Sequence, residues 1–389
     1  MDLITYILIC HFGLEKVLKN EVRKLGLEIS EVTDGEVKVK GKISDIPRLN
    51  FNLRTAERVM IEINTFKAVE PDDLLYGSME SEIEKYVPRD GEFLVTKANQ
   101  DKNSVLRSAM ANQKTVKKAF VERLKKVYKT DYLPESKGSY PFRVKFNKNI
   151  CSIRLDTTGE SLHKRGYRLK GGIAPIEETL AAALIKLTEF RKDSILIDPF
   201  CGSGTIPIEA ALIACNLPSG IDRKFVSESW DIIPKSAWED ARDEAKSFIN
   251  EERLKSKDIK IYGFDIDSEA IKVAKENAKR AKVDKLIHFE RCEVKKFAEL
   301  ELVKKIDESL VDSKGIILTN PPYGERLEDK KTIYPIYKDL KLSYDKLKNF
   351  DMHIITSYED MKKIYGTETK NRKLYNGMIK TYFYSYNKN

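Results

Sequence analysis

The stretch Leu196-Ile-Asp-Pro-Phe-Cys-Gly-Ser-Gly-Thr205, running on into Ile206 to Cys215, decides the fold of the C-terminal half of this chain. A short buried strand ends in the carboxylate of Asp198, a glycine turn lets the backbone approach a ligand, and a helix begins. A ligand there sits over exposed amides at the carboxyl edge of the strand, which implies something nucleotide-like. A dinucleotide fits poorly, because the third glycine of G-x-G-x-x-G falls on Pro207 and the short side chain needed for close helix-to-strand packing is missing. Asp198 beside the turn would also repel a pyrophosphate, whereas it suits a cationic amino-acid headgroup. Both points favour S-adenosylmethionine over NAD.

Outward from this turn, long helices alternate with short, almost wholly apolar strands from Ile176 onward, the mark of a parallel sheet covered on both faces. Strands are expected at Ser194 to Asp198, Lys260 to Asp265, Leu286 to Phe289, Gly315 to Asn320 and Asp351 to Ser357. A closing pair, Arg372 to Tyr375 and Met378 to Tyr386, turns at Asn376-Gly377, a strong hairpin signal. The fold class is therefore α/β: a doubly wound, mostly parallel, seven-stranded Rossmann-like sheet closed by an antiparallel hairpin and preceded by an α+β region. At the second strand terminus, Tyr262-Gly-Phe-Asp-Ile-Asp267, Asp265 is placed to grip a ribose diol and Asp267, with Ser268, to cap the next helix. After the third strand, Glu293 could accept from an adenine amino group, or be only an exposed loop acid.

The sharpest motif is Thr319-Asn-Pro-Pro-Tyr-Gly-Glu-Arg326. Two prolines directly after an apolar strand forbid its continuation and stiffen the loop, since neither has an N–H and each fixes φ near −65°. The loop offers acceptors in the Asn320 amide oxygen and the Pro321 carbonyl. An exocyclic purine amine is a poor nucleophile because its lone pair is delocalised into the ring. Two acceptors on its hydrogens localise that pair toward a methyl donor, while Tyr323 stacks on the base. A sulfonium is already an activated electrophile, so transfer needs neither metal nor covalent intermediate. Attack on C6 of a pyrimidine would need a cysteine in the loop; Tyr323 stands there, and no Pro-Cys occurs in the chain. His163 and His288 read as a surface-loop and a strand residue rather than as catalysts.

The remainder of the chain supplies the context. Its 389 residues exceed the roughly 250 to 300 at which one hydrophobic core stops growing, so at least two domains are expected. Five cysteines, far apart and never in a C-x-x-C pair, signal neither a disulfide framework nor a zinc site. The apolar run Leu3 to Cys10 is too short to span a bilayer and lacks signal-peptide flanks, so a cytoplasmic protein is expected. The net charge is +9, yet residues 101 to 170 hold 18 basic and 6 acidic side chains, a surplus of 12 that leaves the rest slightly acidic. Such a surplus suits a polyanion, because counterion release drives association in proportion to the phosphates neutralised. It also fits a solvated helix face. On a helix expected over Val105 to Tyr128, Val116, Phe120, Leu124 and Val127 share one face, with Lys114, Lys118, Lys125 and Lys129 opposite. A Gly-punctuated basic stretch, Gly159 to Gly172, follows two further strands.

At this point the chain resembles the THUMP-domain RNA methyltransferases, specifically the bacterial 23S rRNA guanine-N2 methyltransferases. The resemblance covers almost the whole chain. It is carried by Phe12-Gly-Leu-Glu15, Leu53-Arg-Thr-Ala-Glu-Arg58, Asp156-Thr-Thr-Gly-Glu-Ser-Leu-His-Lys-Arg-Gly-Tyr-Arg168, Ala174-Pro-Ile-Glu-Glu-Thr-Leu-Ala-Ala-Ala183, Asp198 to Thr205, and Asn320 to Leu327. It implies a ferredoxin-like element at 1–60, a THUMP module gripping structured RNA at 61–157, a basic linker at 158–175 and a class I methyltransferase at 176–389. It further implies that Asp198, Pro199, Phe200, Gly202, Gly204 and Thr205 hold the methionine end of S-adenosylmethionine, with Asp265 and Ile266 at the ribose and Glu293 at the adenine. Asn320, Pro321, Pro322 and Tyr323 would hold the target base, Asn320 lying between base and cofactor. RNA contacts are expected from Lys114, Lys118, Lys125, Lys129, Lys164, Arg165 and Arg168. Position 293 is Glu where relatives often have Asp, and no second fused methyltransferase follows, so one activity is expected, in a monomer without metal or membrane. The expected reaction is methylation of a guanine N2 in 23S rRNA or its large-subunit precursor. Its rivals are the same chemistry on tRNA, adenine-N6 methylation, and a non-catalytic RNA-binding protein.

Overall fold

The computed structural model describes residues 3–168, 176–311, 313–324 and 329–388, and the chain divides into two compact units. The first comprises residues 1–10, 19–162 and 220–245, the second residues 11–18, 163–219 and 246–389. Residues 169–175 of the expected linker and 325–327 of the stretch that carries the proline motif lie outside the described residues. Among the described residues no helix is long and apolar enough to cross a membrane.

The first unit is built on seven strands: β1 (Ile4–Cys10), β2 (Glu28–Thr33), β3 (Glu36–Gly41), β4 (Ala56–Lys67), β5 (Gly91–Gln100), β6 (Lys137–Asn147) and β7 (Ile150–Asp156). Their order is β2-β3-β1-β4-β7-β6-β5, with every pair antiparallel except β5 and β6. The apolar run at the N-terminus becomes central strand β1, in which Tyr6, Ile7 and Leu8 are fully buried, as a strand covered on both faces requires. The lysine-bearing helix spans Ala109–Tyr128, starting where the Ser108 hydroxyl caps the Ala111 N–H rather than at Val105. Its Phe120 packs on Phe142 at 4.8 Å between ring centres. Val127, expected on the packed face, is instead 43% exposed: in the last turn Tyr128 faces inward and donates to the Val87 carbonyl at 2.8 Å. Between β4 and β5 the chain forms two helical pieces, Pro71–Met79 and the short turn Ile83–Lys85.

Residues 220–245 also belong to this unit, although they lie within the range 176–389 in sequence. Trp230 stacks on Tyr140 at 5.0 Å and its indole N–H donates to the Ser139 carbonyl at 2.9 Å. Arg48 holds Glu244 through two hydrogen bonds of 2.7 and 2.8 Å. No local periodicity announces that excursion; it is fixed by these long-range contacts.

The second unit carries β8 (Leu196–Asp198), β9 (Ile261–Asp265), β10 (Ile287–Arg291), β11 (Gly315–Thr319), β12 (Phe350–Thr356), β13 (Lys370–Asn376) and β14 (Ile379–Tyr386) in the order β10-β9-β8-β11-β12-β14-β13. The first five are mutually parallel and β14 runs antiparallel to both β12 and β13. Alternate residues serve two cores: Leu196, Ile316, Leu318 and Ile355 face one, whereas Ile197, Ile317, Met352 and Ile354 face the other. That double burial is why the strands read as unbroken apolar runs. Strand order reverses between β8 and β11, and in an open sheet of this type ligands bind outside the carboxyl ends at such a point.

Candidate active site

At the reversal a cavity of about 350 Å³ is lined by Asp198, Phe200, Gly202, Thr205, Asp265, Ile266, Asn320 and Pro322, and also by Ile176, Cys201, Ser203, Ile206 and Ile336. Eight of the expected site residues thus share one cavity, although β8, β9 and β11 bring them from three distant parts of the sequence. Pro199, Gly204, Pro321, Tyr323 and Glu293 do not line it. The Glu293 carboxylate lies near Lys295 at 3.1 Å and Lys296 at 3.5 Å.

The glycine turn is held from three sides. The Cys201 N–H donates to the Phe264 carbonyl (2.8 Å), the Gly202 N–H to Asp265 Oδ2 (2.9 Å), and the Asn277 amide to the Ser203 carbonyl (3.0 Å). Gly202 and Gly204 have φ of +49° and +83°, a region that only glycine enters without strain. A Cβ at Gly204 would lie 3.0 Å from both Ala274 Cβ and Phe289 Cζ. The close approach missing at Pro207 is therefore provided at Gly204. Asp265 also accepts from the Asp267 N–H at 3.0 Å, so each carboxylate oxygen is fixed by one backbone donor and keeps a lone pair for a ligand hydroxyl. Asp267 caps the helix Ser268–Arg280 through the Glu269 N–H, as expected.

Asp198 is the electrostatic centre. It is 1% exposed, and it accepts from the Thr319 hydroxyl at 2.7 Å and the Phe200 N–H at 3.1 Å. Burial raises its carboxyl from the ordinary value to about 7; those two hydrogen bonds oppose the rise and the nearby Asp265 adds to it. Among the described residues no cation is paired with it. A buried carboxylate facing a cavity without a counterion fits a cationic ligand, and the α-ammonium and sulfonium of S-adenosylmethionine supply that charge.

The Thr319–Asp198 bond ties β11 to β8 and places the proline turn on the cavity wall. Tyr337, buried under that turn and stacked on Tyr358 at 4.7 Å, shares a hydrogen bond with Thr356 (2.5 Å) and donates to the Pro322 carbonyl (3.2 Å). Tyr323 donates to Asn320 Oδ1 and accepts from the Asn376 amide at 3.1 Å. Tyr337 went unnoticed in the sequence, and Thr319 and Asn376 were read only as parts of a motif and a turn, because nothing in their spacing announces these hydrogen bonds.

Of the expected RNA contacts, Lys114, Lys118 and Lys129 are exposed and Lys125 is half-buried on the long helix of the first unit; Lys164 is exposed in the second. Arg165 and Arg168 point inward. Arg165 is 7% exposed beside the fully buried Glu209 at 3.4 Å, and Arg168 donates to the Thr205 hydroxyl (2.6 Å) and the Ile176 carbonyl (2.8 Å). Arg168 thus braces the first residue of the helix that follows the glycine turn.

A parallel sheet with this reversal, a glycine turn under a buried carboxylate and a proline-locked acceptor turn define an S-adenosylmethionine-dependent methyltransferase. The chain belongs to the family of RMKL-like methyltransferase domains, matched over residues 165–384, and residues 5–60 match the RlmL ferredoxin-like domain. It is 40% identical to YpsC of Bacillus subtilis, a candidate RNA methyltransferase, over 98% of this chain and 95% of that one. It is 32% identical to the ribosomal RNA large subunit methyltransferase K/L of Syntrophotalea carbinolica over 94% of this chain, spanning about half (51%) of that longer protein. Among solved structures, SMU.472, a candidate methyltransferase in complex with S-adenosylhomocysteine, superposes with a TM-score of 0.90 at 31% identity, covering 100% of this chain and 99% of that one. A Listeria monocytogenes protein named as an N6-adenine-specific DNA methylase from prediction gives 0.89 at 38% identity, with 100% and 97% covered.

Proposed function

We propose that the protein transfers a methyl group from S-adenosylmethionine to the exocyclic N2 of a guanine in 23S rRNA. The observation that carries this reading is the Thr319–Asp198 hydrogen bond, which sets the Asn320 acceptor turn and the cofactor-charge site on adjacent walls of one cavity. Bound S-adenosylmethionine supplies an electrophilic methyl carbon. The chain's part is to hold the nucleophile: Asn320 Oδ1 and the Pro321 carbonyl accept from the amine hydrogens, localising the nitrogen lone pair, and Tyr323 stacks on the base. The large-subunit name of the K/L relative favours rRNA over tRNA, and the exposed lysines of the first unit suit a phosphate backbone. The N6-adenine name of the Listeria protein favours the second reading, adenine as target.

Incubation with labelled cofactor and naked 23S rRNA, followed by nucleoside digestion, is expected to give N2-methylguanosine. Label only in N6-methyladenosine overturns the base assignment, and label only when tRNA replaces rRNA overturns the substrate. Asn320→Ala is expected to lower kcat by about 10²- to 10³-fold, the usual effect of removing one polar group that stabilises a transition state, with RNA affinity near wild type.

A further inference from the structure

We propose that the tip of the β13–β14 hairpin, together with the Phe12–Gly13 turn, is a subsite that stacks an unpaired nucleobase of RNA next to the target base. Strand β12 ends at Thr356, opposite Tyr382, so β13 and β14 run on past the carboxyl edge of the sheet, the edge at which the cavity opens. On this overhang Tyr375 pairs with Lys380 and Lys373 with Tyr382 in adjacent, same-face positions of an antiparallel ladder. Lysine and tyrosine therefore alternate in both directions. The Lys373 ammonium lies 5.6 Å from the Tyr375 ring centre and that of Lys380 5.2 Å from the Tyr382 ring centre. An aromatic face beside a cation is the chemistry that takes a base on the ring and its phosphate on the amine.

The N-terminal turn adds a third ring. Phe12, 40% exposed, meets Tyr375 edge to face at 6.0 Å. It is fastened there by the backbone: Gly13 has φ +86°, a Cβ on it would lie 3.0 Å from the Lys373 carbonyl, and Arg372 donates to the Gly13 carbonyl at 2.7 Å. Met378, at the turn itself, is 97% exposed. None of these rings or the thioether is in either buried core of the unit. Continuity with the active site comes from Asn376, whose amide donates to the Tyr323 hydroxyl at 3.1 Å, so the overhang is one side chain from the residue assigned to stack on the target. A nucleotide neighbouring the extruded base would find the rings of this overhang for its base and the ammonium groups for its phosphate.

The inference rests on the RNA reading above, and its test separates the two. The probe is a dye-labelled twelve-nucleotide oligouridylate, which has no secondary structure, titrated by anisotropy in parallel with methyl transfer to 23S rRNA. Tyr375→Ala/Tyr382→Ala is expected to weaken oligouridylate binding by about 5- to 100-fold, the range for loss of base stacking. It should raise KM for rRNA while leaving the dissociation constant for S-adenosylhomocysteine unchanged. Tyr375→Phe/Tyr382→Phe keeps the ring faces and is expected to restore binding, which a variant harmed only in folding would not predict. Oligouridylate affinity that is equal in wild type and the alanine variant, or no binding by wild type, overturns the subsite. If wild type binds and the alanine variant does not, yet rRNA receives no methyl group, the subsite stands and the rRNA assignment falls.

Discussion

The long helix of the first unit and the buried polar cluster of the second use charge in opposite ways. Lys114, Lys118 and Lys129 point into water and, among the described residues, no carboxylate is paired with them. Arg165 and Glu209 have side chains only 3% and 0% exposed, with Tyr167 donating to the same Glu209 oxygen at 3.2 Å. Both basic groups lie in the segment with the surplus of positive charge, and only the surroundings separate them. An exposed lysine keeps its hydration and is available to a polyanion, whereas a desolvated guanidinium persists only because its partner is desolvated with it. A run of basic residues is therefore not itself a phosphate-binding surface.

The largest expected effect breaks the buried side of that contrast. Arg165→Ala leaves the Glu209 carboxylate buried without its cation and should cost about 3 to 5 kcal/mol, read as a fall in the urea midpoint. Replacing both partners by apolar residues of similar volume, Arg165→Met/Glu209→Leu, should recover most of the loss. If Arg165→Ala unfolds like wild type but binds RNA less tightly, Arg165 belongs with the lysines after all.

The exposed side is sharpened by joint replacement of Lys114, Lys118 and Lys125 with Ala. Stability should change little, since surface substitutions usually stay within about 0.5 kcal/mol each. Each phosphate contact contributes roughly 0.7 to 0.9 to the slope of log affinity against log salt, so three lost contacts should flatten the slope by about 2 to 3. A slope unchanged from wild type removes this helix from the RNA footprint.

Legibility in the sequence follows the same division between local and distant causes. The parallel sheet was readable because Ile197, Ile317 and Met352 alternate with neighbours that are also buried, and short apolar runs of this kind, separated by long helical segments, are what a sheet covered on both faces requires. Asp198, Gly202 and Asn320 were readable because strand, turn and helix signals fall at adjacent positions. Arg168 was misplaced because nothing near it in sequence says that Thr205, 37 positions away, lies within hydrogen-bond reach. Residues 220–245 were missed for the same reason: the stack of Trp230 on Tyr140 joins positions about ninety apart. Periodicity reports which face of an element is buried, but not against what.

Asp198 belongs on the buried side of the contrast yet, among the described residues, lacks the cationic partner that Glu209 has, and that difference makes its charge sensitive to pH. Burial pushes its carboxyl up to about 7 in the fold, while in an unfolded chain the ordinary value is about 4. Between those values the fold holds a proton that the unfolded chain has released, so the empty protein loses stability as pH rises through that window. Ligand binding runs the other way, because the α-ammonium of S-adenosylhomocysteine, charged across this range, needs the ionised carboxylate. About a tenth of Asp198 is ionised at pH 6 and about half at pH 7, so calorimetry should find the ligand bound about five-fold more tightly at pH 7. The binding heat at pH 6.5 should also differ between phosphate and Tris buffers, since on average about three-quarters of a proton leaves Asp198 for each ligand bound. Asp198→Asn should abolish both dependences; an affinity equally flat in wild type would place the ligand's positive charge elsewhere than on this carboxylate.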